Sequence, residues 1–103
     1  MVGNYLLVRV LGNSMLPTLN SGDFLLVGKT KEFSIGDLVV IEQGGSRLVK
    51  RIVDENTSQI WLSGDNVRES SDSRSFGWVE KDQIVGRVIL RYWPKIKLNF
   101  KVN

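Results

Sequence analysis

Short apolar runs, each closed by a cluster of Gly, Asp, Asn or Ser, recur along the whole of this 103-residue chain. Runs of about four to eight residues bounded in this way are typical of strands rather than of helices. The pattern predicts strands over residues 5–11, 24–28, 38–42, 47–54, 59–63 and 84–92. Many strands with glycines at their corners indicate an all-β fold, a small coiled β-barrel-like sheet.

The segments between these runs carry turn signals. Gly44 and Gly45 predict a hairpin, and the Gly-Asp pairs ending at Asp23 and Asp37 are interpreted as turns closed by the aspartate side chain. Residues 79–83 have a weak signal for one helical turn. Residues 64–78 are predicted to form an ordered polar loop, because loops of this length in compact folds are usually functional. The length suits one domain, 1–103.

The chain contains neither cysteine nor histidine. Disulfides, thiol catalysis and cysteine metal sites are therefore excluded, as are Ser-His-Asp triads and ordinary zinc chemistry. Proton transfer near neutral pH must use lysine, a carboxylate, tyrosine or water. We expect no cofactor and no metal.

The net charge is +3 and the charges are spread along the chain, so nucleic-acid binding is not expected. Apolar stretches fall short of the ~20 residues that span a bilayer, which predicts a cytoplasmic protein or one bound at a membrane surface. Residues 89–101 mix aromatic and basic residues. They suit either a basic lip on an anionic membrane or a closing strand with a frayed tail, and the second interpretation is favoured.

A hydrolase without His or Cys can still activate a serine hydroxyl with a neutral lysine. Ser14 follows the first predicted strand, in a turn that begins at Gly12. Gly12 lets another backbone approach closely, and the N–H of Ser14 could donate to an oxyanion. On its own this signal is weak, because an isolated serine in a turn is usually structural.

Lys50 is the candidate base. Strand alternation places it on one face with Leu48 and Ile52, and burial between aliphatic neighbours lowers a lysine pKa from about 10.4 by as much as ~3–5 units. The alternative is a lysine whose stem packs at the sheet edge while its amine stays in water. The local residues alone favour that alternative.

Four motifs favour the catalytic interpretation of Ser14 and Lys50. Residues 14–19 (SMLPTL) with 22–27 (GDFLLV), residues 36–40 (GDLVV), residues 50–53 (KRIV), and residues 64–66 (GDN) with the stretch up to Gly77 occur in that order. This arrangement resembles the type I signal peptidases and covers residues 12–88. The resemblance implies a coiled all-β catalytic fold and an endopeptidase.

The resemblance also implies roles for individual residues. Ser14 is expected to be the nucleophile, Lys50 the general base, and Ser70 the hydroxyl that holds the Lys50 amine. Met15 is expected to line the cleft, in which the substrate lies as an extended strand with small side chains at the first and third positions before the cut.

Two ion pairs are implied as structural support behind the base. Asp65 is expected to pair with Arg51, and Asp72 with Arg74. Gly12 is a departure, since some relatives carry a serine there whose hydroxyl helps to bind the oxyanion.

Two further departures concern size. Membrane-bound relatives begin with spanning helices, whereas the nucleophile strand here starts at residue 5, and a large accessory β-region of some relatives is missing. In these respects the chain is similar to the short, anchorless maturation proteases of nickel superoxide dismutase. Those proteases remove an N-terminal leader so that the new amino terminus can bind nickel.

The expected partner is therefore a protein substrate with an N-terminal leader, and the oligomeric state is left open. Two alternatives remain. A self-cleaving repressor-like domain is disfavoured, because no helix-turn-helix pattern precedes Ser14. An inactive leader-peptide-binding module is disfavoured because it would not need Ser14, Lys50 and Ser70 together.

Overall fold

The computed structural model of the protein describes residues 2–69 and 73–101. It contains a seven-stranded sheet and a few short helical turns. The strands are β1 (Tyr5–Arg9), β2 (Phe24–Gly28), β3 (Leu38–Gln43), β4 (Ser46–Glu55), β5 (Gln59–Ser63), β6 (Val79–Glu80) and β7 (Ile84–Trp93). The helical segments are the 3₁₀ turns Val2–Asn4, Val67–Glu69 and Lys81–Gln83, and one α-helical turn, α1 (Ser73–Phe76).

The strands are antiparallel throughout and follow the order β1-β2-β7-β3-β4-β5-β6. The register shifts at several points along β2, β3 and β4. Such bulges bend a strand and increase its twist, which coils the sheet. The predicted all-β class is confirmed. The sheet is coiled but open, so its resemblance to a barrel does not extend to closure.

Most strand boundaries follow the sequence prediction. β2 and β5 have the predicted bounds, while β3, β4 and β7 are extended by one or two residues and β1 ends at Arg9 rather than at residue 11. The weak helical signal over residues 79–83 is only partly right. β6 occupies the first two of these residues, and a 3₁₀ turn closed by a Glu80–Gln83 capping box occupies the rest.

Two apolar clusters form the core, one on each side of the sheet. The first contains Val10, Met15, Leu19, Leu25, Val27, Leu38, Val40, Val88 and Phe100. The second contains Val39, Ile41, Ile52, Ile60, Leu62, Val79 and Ile84. Alternate residues of β3 enter different clusters, so this central strand is buried on both faces. β4, the strand that carries Lys50, pairs with β3 and is therefore attached to the most buried part of the fold.

The Gly-Asp turns have the predicted chemistry. Oδ2 of Asp23 accepts from the N–H of Asn20 at 2.8 Å, and Oδ2 of Asp37 accepts from the N–H of Ser34 at 2.9 Å. Asp23 is also buried and pairs with Arg91 at 3.1 Å, a long-range contact that the local pattern does not reveal. In the described part of the chain, no helix is long and apolar enough to cross a membrane.

Candidate active site

Ser14 lies in the turn that joins β1 to β2. Gly12 opens this turn with a φ of +86°, and its N–H donates to Oγ of Ser21 at 3.1 Å. Met15 and Leu19 belong to the first core cluster and hold the turn against the core. Ser14 itself is half-buried, at the boundary between these apolar anchors and solvent. A left-handed backbone suits glycine at position 12, and it allows the chain to reverse immediately before the serine.

Lys50 lies in β4, opposite Val39 of β3, and only 3% of it is exposed. The alternative of a lysine with its amine in bulk water is therefore wrong for this structure. Alternation within β4 could not decide between the two cases, because burial here comes from elements that are distant in sequence. A buried ammonium is costly unless it is paired or gives up its proton.

One cleft of about 100 Å³ brings the candidates together. Ser14, Met15 and Lys50 all line it. Its other lining residues come from the end of β1, from the two residues that follow it, and from β4. They are Val8, Arg9, Val10, Leu11, Arg47, Leu48 and Val49. The cleft walls thus combine aliphatic side chains with one hydroxyl, one buried amine and two arginines. This arrangement suits an extended peptide whose backbone runs past Ser14.

Arg51 and Asp65, which were predicted to pair, form a two-pronged ion pair directly after Lys50 in the chain. Nε of Arg51 donates to Oδ1 of Asp65 at 2.8 Å, and Nη2 donates to Oδ2 at 2.7 Å. Nη1 donates to the carbonyl oxygens of Gly36, at 2.8 Å, and of Phe100. The guanidinium, in a residue that is 7% exposed, therefore has acceptors in three different segments. Its planar fork fixes both direction and distance.

Asp65 also binds the nucleophile turn, since Oγ1 of Thr18 donates to Oδ2 of the same carboxylate. Burial alone would raise the pKa of Asp65. The hydrogen bonds from Arg51 and Thr18, with the positive charge of Arg51 and the weaker influence of Lys97, outweigh it and hold the pKa below its ordinary value. The carboxylate is consequently ionised at neutral pH and joins β4 to the turn that carries Ser14.

The backbone after Asp65 provides a second connection to that turn. The N–H of Asn66 donates to the carbonyl oxygen of Ser14 at 2.8 Å, and its side-chain amide donates to the carbonyl oxygen of Asn13 at 3.0 Å. Sequence reasoning missed the roles of Asn66 and Thr18, although both lie inside motifs that it had identified. Their residue types were visible in the sequence, but their partners were not. Thr18 binds the carboxylate of Asp65 and Asn66 binds backbone carbonyl oxygens of the nucleophile turn, and all of these partners are remote in the chain.

Some predicted site residues cannot be placed. Ser70 and Asp72 lie outside the described residues, and so do the contacts expected of them. Arg74 lies in α1, where its Nη2 donates to the carbonyl oxygen of Val67 at 2.8 Å. Ser73, which sequence reasoning did not select, is buried and accepts a hydrogen bond from the N–H of Leu62 at 2.9 Å, holding α1 against β5.

Within residues 2–69 and 73–101, acidic side chains do not gather in threes as a metal site would require.

Comparison with known proteins shows the family. A family profile described as Peptidase S24-like matches residues 2–89, which include Ser14, Lys50 and Asp65. The chain belongs to the Peptidase S24-like family. Within this family it is a serine endopeptidase of the signal peptidase I type, as its named relatives indicate.

Three of these relatives show the range of the similarity. Mitochondrial inner membrane protease subunit 1 of Schizosaccharomyces pombe is 36% identical over 110 positions, covering 81% of this chain and 70% of that protein. Mitochondrial ATP-independent inner membrane protease subunit 1a of Arabidopsis thaliana is 34% identical over 116 positions, covering 84% and 69%. Signal peptidase IB of Staphylococcus aureus (strain MRSA252) is 54% identical over 40 positions, covering 39% and 21%.

The chain therefore spans about 70% of the length of these two inner membrane protease subunits and 21% of signal peptidase IB. All three relatives are named as proteases or peptidases, and a protein substrate is the coarse conclusion that the S24-like family assignment carries.

Proposed function

We propose that this protein removes an N-terminal leader from a protein precursor with a Ser14–Lys50 dyad. The observation that supports the proposal is the shared cleft, which is lined by both a half-buried serine, Ser14, and a 3% exposed lysine, Lys50. A serine activated by a neutral lysine needs this combination of an accessible hydroxyl and a buried amine.

In the proposed reaction, Oγ of Ser14 attacks the scissile carbonyl carbon while the Lys50 amine takes the hydroxyl proton. The carbonyl oxygen becomes an oxyanion, for which we assign the N–H of Ser14 as a donor. Collapse of the intermediate breaks the C–N bond, and the Lys50 ammonium gives its proton to the leaving amine. The leader is then held as an ester on Ser14.

Water completes the cycle. Lys50, neutral again, takes a proton from a water molecule as its oxygen attacks the ester carbon. The C–Oγ bond breaks, the proton returns to Ser14, and the leader leaves with a new carboxylate. Each step uses only Ser14, Lys50 and water, which agrees with a chain that has no histidine and no cysteine.

The surrounding hydrogen bonds would keep the dyad in register. Arg51 and Asp65 connect β4 to Thr18, and Asn66 fixes the carbonyl oxygen of Ser14. These residues are assigned as support for geometry and not as participants in proton transfer. The contacts predicted for Ser70 and for the Asp72–Arg74 pair remain predictions, as do a single protease domain over residues 1–103 and a cytoplasmic location.

The substrate is proposed to lie along β1, which is an edge strand of the sheet and contributes its end to the cleft. Main-chain groups of an edge strand can pair with an extended peptide. The cleft is small and bounded by buried Met15, so it should favour small side chains beside the cut. The precursor of nickel superoxide dismutase is the specific substrate we propose to test first.

The deciding experiment incubates leader-bearing precursors, including that of nickel superoxide dismutase, with the wild-type protein, Ser14→Ala and Lys50→Ala. New N-termini are identified by mass spectrometry. We expect one defined cut by the wild type and none by either variant. Ser58→Ala and Lys29→Ala, at exposed positions outside the cleft, serve as matched controls and should cleave normally.

The same experiment separates the alternatives. A self-cleaving domain would shorten its own chain and leave every precursor intact. An inactive binding module would retain the precursor uncut, and Ser14→Ala would bind it as the wild type does. Cleavage by Ser14→Ala would refute the proposed dyad outright.

A further inference from the structure

The segment that follows β7 turns back onto the strand. Arg91 and Lys97 exchange two backbone hydrogen bonds of 3.0 Å, and Nε of Arg91 donates to the carbonyl oxygen of Lys95 at 2.8 Å. The chain from residue 94 to residue 101, here called the clasp, therefore reverses direction and returns towards the β2–β3 loop. At its far end, Nζ of Lys101 donates to Oγ of Ser34 at 3.0 Å.

Phe100 is the apolar anchor of the clasp. It is 8% exposed and belongs to the first core cluster, whereas Ile96 and Leu98 of the same segment are 71% and 69% exposed. Burial of one aromatic ring next to two exposed aliphatic residues shows that the segment is attached at this point. The ring of Phe100 therefore determines where its own carbonyl group lies.

That carbonyl oxygen accepts a hydrogen bond from Nη1 of Arg51. The other contact of Nη1 is the carbonyl oxygen of Gly36, and the remaining prongs of the guanidinium bind Asp65. If the clasp detached, Nη1 of Arg51, a residue that is 7% exposed, would lose one of its two acceptors. Because such a loss is costly, the guanidinium would shift or admit water, and its hold on Asp65 would loosen.

Arg51 lies next to Lys50 in β4, and Asp65 precedes Asn66, whose N–H holds the carbonyl oxygen of Ser14. Two branches thus lead from Phe100 through Arg51 to the cleft. One passes along the chain from Arg51 to Lys50, and the other passes by hydrogen bonds to Asp65 and then along the chain to Asn66, which holds Ser14. The Peptidase S24-like match ends at residue 89, so the clasp lies outside the part of the chain that the family profile describes.

We propose that Phe100 is a positioning residue for this peptidase, acting through Arg51 on the Ser14–Lys50 cleft. The inference rests on the proposed function for its kinetic consequence, while the contact of Phe100 with Arg51 is independent of it. Phe100 does not line the cleft, although it shares the first core cluster with Val10 and Met15, which do, and we assign it no contact with substrate. Its loss should therefore lower kcat and leave KM nearly unchanged.

The kinetic experiment compares Phe100→Ala with three other variants. We expect Phe100→Ala to lower kcat by about tenfold with KM within about twofold, because small misplacements of catalytic groups are costly. Phe100→Leu should recover most of the loss, and Ile96→Ala, from the exposed part of the clasp, should behave as the wild type. Ile60→Val, in the second core cluster, controls for general loss of stability.

A double-mutant cycle shows whether Phe100 acts through Arg51. If it does, adding Phe100→Ala to Arg51→Lys should lower kcat little further, because the fork that the clasp holds is already gone. Fully additive losses in kcat would overturn the proposal. The proposal would also be overturned if Phe100→Ala and Ile60→Val had the same melting temperature and the kcat of Phe100→Ala were no lower than that of Ile60→Val.

A measurement without substrate separates failure of this inference from failure of the proposed function. The Nε–H signal of Arg51 in a ¹⁵N-correlated NMR spectrum is assigned by its loss in Arg51→Lys. We expect its exchange with water to become about tenfold faster in Phe100→Ala and to stay unchanged in Ile96→Ala. Unchanged exchange in Phe100→Ala would refute the positioning role of Phe100 even if the protease activity is confirmed. Cleavage by Ser14→Ala would refute the Ser14–Lys50 dyad and would leave the exchange result unaffected.

Discussion

The backbone N–H of Asn66 donates to the carbonyl oxygen of Ser14 at 2.8 Å. One residue earlier, the carboxylate of Asp65 holds the guanidinium of Arg51 by two hydrogen bonds. Residues 64–66 therefore lie between the turn that carries Ser14 and the strand that carries Lys50, and contact both. Such a short rigid connection explains how two side chains from distant parts of the sequence line one cleft.

The Lys50→Arg variant should be inactive. Guanidinium stays protonated at any pH at which the protein is folded, so it cannot accept the proton of Ser14. We expect initial cleavage rates to fall by about 10²- to 10⁴-fold, the usual contribution of general base catalysis. Lys29→Arg, an exposed lysine, is the matched control and should retain the wild-type rate. A Lys50→Arg protein that cleaves within twofold of the wild type would contradict a lysine base.

The Asp65→Asn variant should lose stability at neutral pH and little at acid pH. The folded-state pKa of Asp65 lies below its ordinary value of 3.8, so its ionisation stabilises the fold above that value. This contribution disappears as the pH falls through the folded-state pKa. We expect a loss of about 3 kcal/mol at pH 7, since Arg51 is left without its carboxylate.

The measurement is thermal unfolding from about pH 7 to about pH 3, followed by circular dichroism. The difference in melting temperature between the wild type and Asp65→Asn should shrink steadily over the acid end of this range. Asp82→Asn, at an exposed aspartate, should show a small difference at every pH. A gap that stays constant for Asp65→Asn down to the lowest pH would show that its carboxylate charge contributes nothing to stability.

The sequence was sufficient to place the individual strands, because alternation and turn residues are local signals. β2 and β5 appear with the predicted bounds, and the Asp23 and Asp37 turns close as expected. The order of the sheet was not predictable in the same way. β7 inserts between β2 and β3, a pairing between distant segments that no local pattern encodes.

The candidate site likewise combines features that local sequence signals predicted with features that depend on tertiary packing. Alternation gave the face of Lys50 but left its burial undecided, because the turn over residues 12–19 that shares its cleft is remote in sequence. The partnership of Arg51 with Asp65 came from the resemblance to signal peptidases and not from residue chemistry alone. Phe100 had no signal, since its role depends on a main-chain carbonyl whose position is set by tertiary packing.

The Gly86→Ala variant should be destabilised although glycine is a poor strand former. A methyl group on Gly86 would collide with the carbonyl oxygen of Gly28 and lie 2.7 Å from Cγ1 of Val27, where β7 lies beside β2. Relief of such a contact requires movement of the backbone, at a cost of about 1–3 kcal/mol. We expect the melting temperature to fall by about 10 °C.

The control for this variant is Gly3→Ala, where an added methyl group meets no heavy atom of the described residues within 4 Å. It should leave the melting temperature nearly unchanged. A Gly86→Ala protein as stable as the wild type would mean that β2 and β7 do not approach each other as closely as the structure has them.

The cleavage rate should rise with pH. Only the neutral form of the Lys50 amine can take the proton of Ser14, so kcat/KM should be low while the amine is protonated and reach a plateau once it has lost its proton. The measurement is kcat/KM between about pH 6 and pH 9 with one precursor, while circular dichroism checks that the fold is intact throughout. The chain has no histidine that could produce the same rise. A flat profile between about pH 6 and pH 9 would count against Lys50 as the base, because the group that accepts the proton would then gain or lose its own proton only outside this pH range.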